Sequence, residues 1–474
     1  VLSKDNMGTD RQITLTDTAT IRIAQQNSAL SMKGQISGTG YLIKDGAGQL
    51  NFTYGGANSF AGIILKKGII AQGAWNSTFG RSGSPMVLSG GEVHQLDVNI
   101  TSTVPVFDYV TTVTEGTTNK IIGASRGKIN GSFKGTGNLT IQTRYVRCDV
   151  GLDFKDFEGR LTAKGDGGNF RLMSNVTDMS KTRLVIDAGT YVGHYASGSG
   201  NAASATLKIG TLSGTAADGV LGGTSSTYQV GFLNENSSFS GLLQAGRVIK
   251  TGTGVLTLRS TGHTAPITVN GGVLELSNLG TTAMTTATIT VADGGTLRGN
   301  GMAQAVVVNK GGTITGGINA TVGRLRIGGN LTLSEGSTLL CRLSATSNSQ
   351  LAVTGNVKHQ GDTILVQIPA DRTLKVDDVI TVLTAAAQTG EFVLKVVAEG
   401  AHYEFDTSTL LTDGTLRVTS VATGISAIPA ADSRVDVFSL DGTKLRSAVP
   451  YSEALRSLPA GVYIVNGRKV TLSR

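Results

Sequence analysis

Apolar residues in this chain alternate with polar ones over short runs, and a glycine or an Asn/Asp corner closes almost every run. Ile13 and Leu15, Ile21 and Ile23, Leu50 and Phe52, and Leu256 and Leu258 each skip one position. That period of two predicts half-buried β-strands, and no comparable stretch carries a helical period. The strand pattern is also repeated. GTGYLIKDGAGQLNFTYGGANSFAGIILKKGIIAQG runs from Gly38 to Gly73, and AGRVIKTGTGVLTLRSTGHTAPITVNGGVLELSN runs from Ala245 to Asn278. In each copy a lysine precedes a Gly-x-Gly turn (Lys44, Gly46, Gly48; Lys250, Gly252, Gly254). A strand, a polar corner, a second strand and a further glycine follow.

The same rhythm continues between the copies and beyond them. Phe60, Phe157 and Phe239 each stand two residues before a glycine that opens an apolar strand, where a ring is expected to stack on its counterpart in the next repeat. TITVADGGTLRGNG from Thr288 and VVVNKGGTITGG from Val306 share one plan, and Leu331–Leu339 repeats it. Paired glycines supply the positive φ angles of tight corners. Units that bury their faces only against their neighbours make a solenoid. The pattern therefore predicts a right-handed parallel β-helix, a pectin-lyase-like solenoid, with about twenty to twenty-five residues per coil and a length on the order of 60–70 Å. An antiparallel up-and-down barrel is the competing all-β reading, since hairpins also turn on glycines.

Three segments are distinguished. Residues 1–345 read as the β-helix, and residues 346–422, with longer strands and fewer paired glycines, as its closing coils and C-terminal cap. A break around GISAIPAADS then leads to residues 423–474, a small β-sandwich-like module. In that module Asp441-Gly442 and Asn466-Gly467 are hairpin turns, and about forty residues are too few for stability without a partner surface.

Composition narrows the class. Glycine accounts for 65 of 474 residues and proline for only 7, which excludes a disordered Pro/Gly linker. The net charge of +8 is spread singly along the strands with few aromatic residues, which argues against nucleic acid and for a solvated basic surface that attracts anionic glycans. No apolar run is long enough to predict a transmembrane helix. Val1 opens into polar sequence without a signal peptide, so a mature product or a fragment is expected. Cys148 and Cys341 lack metal-ligand spacing and read as buried strand residues.

The residues of the two copies resemble the autotransporter-associated β-strand repeat, Lys-x-Gly-x-Gly-x-Leu-x-Leu followed by a polar turn and a final Gly-x-Leu. VGFLNENSSFSGLLQAGRVIKTGTGVLTL and VGRLRIGGNLTLSEGSTLLCRL are similar to it as well. The resemblance covers residues 32–75 and 225–420, and it implies a surface-exposed parallel β-helix with no particular catalysis. The second copy departs from the first in a corner two residues shorter and in Pro266 where the first has Gly62. The tail resembles the C-terminal sorting domain of the type IX secretion system of Bacteroidetes, through Val435-Asp436-Val437-Phe438, Asp441-Gly442 and Leu458-Pro459-x-Gly461-Val462-Tyr463-Ile464. That resemblance implies recognition of residues 434–474 by outer-membrane secretion or surface-anchoring machinery, and an extracellular or cell-surface location on a Gram-negative bacterium.

Parallel β-helices often carry polysaccharide lyases and hydrolases, whose chemistry needs carboxylates beside basic residues. Arg144, Arg147, Asp149, Asp153, Asp156, Glu158, Arg160 and Asp166 form the densest group. A hydrolase needs two carboxylates facing one groove, and a lyase needs a carboxylate cluster beside an Arg or Lys base. Asp153, Asp156 and Glu158 are close in sequence, but alternation is expected to send neighbouring side chains to opposite faces, and it allows Asp149 and Asp153 to share one. Solvated surface charge is the simpler reading. His94, His194, His263, His359 and His402 are too scattered for a ligand set and read as surface or loop positions. Asp166-Gly167-Gly168 and Asp293-Gly294-Gly295 are lone echoes of calcium-binding turns. Gly123-Ala124-Ser125-Arg126-Gly127 matches Gly-x-Ser-x-Gly, but strand-like sequence follows it where a nucleophile elbow needs a helix. No catalytic, cofactor-binding or metal-binding residue is assigned, and no cofactor is implied. The leading expectation is a non-catalytic surface stalk, adhesin or passenger that meets glycans or another surface protein along the helix. The alternatives are a carbohydrate-active β-helix with its site at 144–166, and the C-terminal part of a larger protein with an upstream catalytic domain.

Overall fold

The structure, a computed structural model, describes residues 7–96, 104–151, 153–166, 168–196, 203–319, 321–423, 433–465 and 468–472. Most of the GISAIPAADS break and the Asn466-Gly467 turn lie outside the described residues.

Each glycine-bounded run becomes a strand that pairs in parallel with the equivalent run one coil later. Tyr41–Asp45 lies beside Gly62–Leu65 with Leu42 opposite Ile63. Gln49–Phe52 lies beside Gly68–Gln72 with Leu50 opposite Ile70. The second copy behaves alike, with Val255–Leu258 against Gly272–Leu276. These pairings wind an all-β solenoid of about 16 turns, with 56% of the residues in strands and 2% in helix. At a spacing of ~4.8 Å the stack is about 75 Å long. Coils range from 17 residues, between Ile289 and Val306, to 32, between Leu351 and Leu383. Parallel pairing throughout the ladder excludes the antiparallel barrel.

Strand alternation sorts the side chains. In Tyr41–Asp45 and Gln49–Phe52 every second residue is buried, and the inward set forms one continuous apolar core from Leu15 to Val418. Each fully buried Leu, Ile or Phe contributes about 1.5–3 kcal/mol, so stability accumulates coil by coil. Aromatic rings thread the first half of this core. Phe60 stacks on Phe52 with centroids 6.3 Å apart, Phe52 meets Phe79 edge-on at 5.3 Å, and Phe133 stacks on Phe154 at 5.5 Å. Phe60 thus finds its ring partner eight positions earlier in its own coil, rather than at the matching corner of the next.

The repeat lysines are inside. Lys44 and Lys250 occupy inward positions of their strands and are 0% and 2% exposed. Lys44 Nζ donates to the carbonyls of Asp45, Gly46 and Lys67 at 3.1, 2.8 and 3.0 Å. Lys250 Nζ donates to those of Thr251, Gly252 and Gly271 at 2.6, 3.1 and 3.2 Å. The Gly-x-Gly turn makes this possible. Gly46 and Gly252 adopt φ of 79° and 68°, which aims successive carbonyls at the ammonium group.

Beyond Ala398 the ladder changes character. Asn356–Ile368 and Ala387–Ala398 form the last parallel pair. Thr415–Thr423 then runs antiparallel to both Val379–Thr381 and Ala401–Asp406. Together with the single-turn helix Leu410–Asp413, this sheet lays Tyr403, Leu410, Leu416 and Val418 over the open end of the core. Residues 433–472 form a separate four-stranded antiparallel sheet. Arg434–Ser439 and Lys444–Pro450 make a hairpin around Asp441-Gly442, where Gly442 has φ of 89°. Val435, Val437, Tyr463 and Val465 pack with Ala454, Leu455 and Leu458, so the 3-10 turn Tyr451–Glu453 and the residues after it supply the second layer.

Three of the five histidines depart from the surface reading. His194, His263 and His359 are buried, His94 is half-buried and His402 is exposed. His359 pairs through Nδ1 with Asp362 at 2.9 Å inside the closing coils, and its Nε2 lies 3.3 Å from Gln388 Oε1. A buried imidazole is compatible with this fold because each coil corner exposes backbone groups that it can bond.

Candidate functional site

The middle coils carry the residues singled out for chemistry, and coil geometry divides them among separate places. Asp149 sits on Arg147–Val150, pointing outward, directly above Arg171 on the next coil. Its Oδ1 lies 3.3 Å from Arg171 Nε and 3.6 Å from Arg147 Nε. Arg171 is 5% exposed because the Tyr195 ring covers it, with the guanidinium 4.3 Å from the ring centroid. Burial raises the Tyr195 hydroxyl above its ordinary range, so it stays protonated at neutral pH. Gly193 lies beneath this pair. A Cβ there would come within 2.6 Å of Tyr195 and 2.8 Å of Tyr191. The result is an outward patch of two tyrosines, two arginines and one carboxylate.

Asp153 shares the outward face with Asp149, as alternation requires. They stand on separate strands, opposite Lys128 and Ser132 of Gly127–Gly135, so their backbones are about 13 Å apart at ~3.3 Å per residue, wider than the spacing of two carboxyls that act on one glycosidic bond. Asp153 Oδ2 pairs instead with Lys155 Nζ at 3.3 Å. It also lines an open groove of about 340 Å³ with Asp178, Lys155 and Asn175. Burial pushes the Asp178 carboxyl up, but the Ser180 donors together with Lys208 and Lys181 outweigh it and hold the group below its ordinary value. Asp178 is therefore suited to remain a carboxylate and unsuited to donate a proton.

Asp156 corrects the alternation argument. Gly127–Gly135 and Asp153–Phe157 pair Ser132 with Asp153 but Lys134 with Asp156, so the second strand carries one extra residue. This bulge turns Lys155 and Asp156 to the same, exposed side. Glu158 pairs with Lys181 at 2.9 Å, and Asp166 accepts from Gln142 Nε2 at 3.1 Å. Arg160 stands in register between Asn138 and Arg183, and Arg144 is half-buried in the corner before Arg147. The eight residues thus lie on separate positions of the middle coils, with Asp149, Asp153 and Glu158 each facing its own basic partners rather than converging on one point. Among the described residues no group of three His, Cys, Asp or Glu side chains is placed to hold a metal ion.

Sequence reasoning missed Arg171, Tyr191 and Tyr195. The signal was present as a coil length: Asp149, Arg171 and Gly193 follow one another at steps of 22 residues, and their strands pair in that register. Cys148, beside Asp149, and Cys341 are buried free thiols on strands, as their flanking alternation implies.

No family model matches this chain, and no curated protein is similar to it.

Proposed function

We propose that the chain is a non-catalytic β-helical stalk or passenger displayed on the exterior of a Gram-negative cell. In this reading it is exported or anchored through residues 434–474, and it presents its coils to glycans or to another surface protein. The observation that carries the reading is the unbroken core from Leu15 to Val418, closed at its end by an antiparallel cap. Such a body is a spacer by construction, because each coil adds length to the same core. The resemblance of the tail to a sorting domain supports the exterior location, and the resemblance of the Lys-x-Gly-x-Gly units to autotransporter-associated repeats supports the stalk role. The test is surface protease accessibility of the chain in its native cell, with and without residues 434–474. Full-length protein is expected to be cleaved on intact cells and the truncated form retained inside. Equal accessibility of the two forms would sink the role given to the tail.

A second reading, a carbohydrate-active surface, is favoured by one observation: the Tyr195 ring lies over Arg171, which faces Asp149, on an outward face. Ligand sites combine aromatic side chains with a few fixed polar or charged groups, which is the chemistry this face offers a sugar ring. Incubation with acidic and neutral polysaccharides separates the two readings. Binding without release of reducing or unsaturated ends supports the adhesive reading, whereas turnover supports the enzymatic one.

A further inference from the structure

The last strand of the parallel ladder, Ala387–Ala398, pairs on one side with Asn356–Ile368 and has no strand partner on its other side among the described residues. The cap that follows covers the core but does not extend this ladder, since Ala401–Asp406 and Thr415–Thr423 pair with each other. Alternation turns Phe392, Leu394 and Val396 toward the core and Glu391, Val393, Lys395 and Val397 outward. Val393 is 59% exposed and Val397 is 47% exposed. An unpaired strand edge flanked by exposed valines is a template for a further strand.

We infer that this edge pairs antiparallel with the same strand of a second copy, forming a two-fold dimer centred on Val393. The charges select both partner and register. Two-fold pairing about residue 393 places Glu391 opposite Lys395 of the second copy and Lys395 opposite its Glu391. Centring on Lys395 instead sets two ammonium groups against each other, and centring on residue 392 or 394 leaves both charges facing a valine, a threonine or no counterpart of opposite sign. Within one chain Glu391 and Lys395 are about 13 Å apart along the strand at ~3.3 Å per residue. Neither forms an ion pair among the described residues. A lone edge lysine ordinarily deters pairing. Here the acid at the symmetric position converts that deterrent into selectivity for an identical strand. Opposite charges directly across an antiparallel pair are favourable and like charges unfavourable, and a two-fold interface doubles each such contact. The inference is independent of the proposed surface role.

The test is the sedimentation mass of the full chain and of three charge variants, each checked for an unchanged circular dichroism spectrum. Wild type is expected at twice 48.8 kDa. E391K and K395E are each expected to be monomeric, because each sets like charges across the two-fold axis. The swap E391K/K395E is expected to dimerise again, and an equimolar mixture of the two single variants is expected to form a mixed dimer. A monomeric wild type at the highest soluble concentration overturns the inference. So does a dimer that survives both single substitutions, or a mixture of the single variants that stays monomeric.

Discussion

The ammonium of Lys44 donates to the backbone carbonyl of Lys67, one coil further along the stack, at 3.0 Å. Lys250 repeats the contact with Gly271 at 3.2 Å, in the other copy of the repeat. In both cases the acceptor lies two residues beyond the position that pairs with the lysine itself, Leu65 for Lys44 and Val269 for Lys250. The lysine is therefore a cross-coil clamp that occupies a core position and donates to three corner carbonyls, of which that of Asp45 also accepts the Ile23 N–H at 3.0 Å.

Lys44→Met and Lys250→Met keep the apolar stem and remove the donors. Each is expected to destabilise the solenoid by about 1–3 kcal/mol, the cost of leaving buried carbonyls unpaired, whereas Lys66→Met on the exposed corner is expected to change little. Urea midpoints compare them. The clamp also has an alkaline signature. Burial pushes both ammonium groups down to about 8 from 10.5, against a small opposing pull of Asp45 on Lys44. Between those values the unfolded chain binds more protons than the folded one, so unfolding free energy rises with pH through these groups. Wild type should gain on the Lys44→Met/Lys250→Met double variant as pH is raised from 8 to 10, and parallel curves would remove the linkage.

Gly68 separates packing from backbone strain. It has φ of 80°, and a Cβ there would lie 2.4 Å from Gly46 O and 2.5 Å from Gly48 O. Gly83 has a similar φ of 71° but nothing within 4 Å of a Cβ. Gly83→Ala is expected to lose about 1–2 kcal/mol, the left-handed penalty alone. Gly68→Ala should lose clearly more because its coil must move away from its neighbour. Equal losses in chemical denaturation would contradict the close stacking of corners.

His263 gives the solenoid an acid-sensitive point. Its Nδ1 accepts the Leu243 N–H at 3.1 Å, and burial pushes the imidazole down to about 4 from 6.5. The folded chain binds fewer protons than the unfolded chain between those values, so stability falls as pH drops from 6.5 toward 4. His263→Asn keeps a side-chain acceptor without the titration, and it should flatten the melting temperature over that interval relative to wild type. A variant as acid-sensitive as the parent would place the effect elsewhere.

The two thiols should be silent. Burial pushes Cys341 up to about 12 and raises Cys148 further still, so neither offers a thiolate at neutral pH. Ellman titration of the native protein is expected to find none, and titration in urea both. Reaction of either one under native conditions would mean that the coils open locally around it.

Much of the coil was legible because the features that build it are local. Leu42, Ile43 and Lys44 already carry the alternation that turns Leu42 inward, and the same alternation turns Lys44 inward two positions later. What hid Lys44 was its charge, since a lysine in a strand reads as solvated unless the carbonyls of the following Gly-x-Gly turn are counted as its partners. The buried histidines escaped for the same reason: His263 is admitted by the Leu243 N–H, twenty positions earlier in sequence but adjacent in the stack. The bulge before Phe157 cannot be seen in one strand at all, because it is a mismatch between two strands. The Asp149–Arg171–Tyr195 patch required the length of one particular coil, and coil lengths vary too widely for a fixed repeat to supply it.

Because every coil pairs only with the coils before and after it, the solenoid has a predictable response to mechanical tension. A force drawn through the chain meets one coil's ladder at a time rather than the whole core at once. Release of a single coil of 22 residues, as between Asp149 and Arg171, pays out about 75 Å of chain at ~3.3–3.6 Å per residue. The clamped coils at Lys44 and Lys250 should yield at higher force than their neighbours. Under shear the molecule would lengthen in discrete steps while its remaining coils stay folded, acting as an extensible tether rather than a rigid strut.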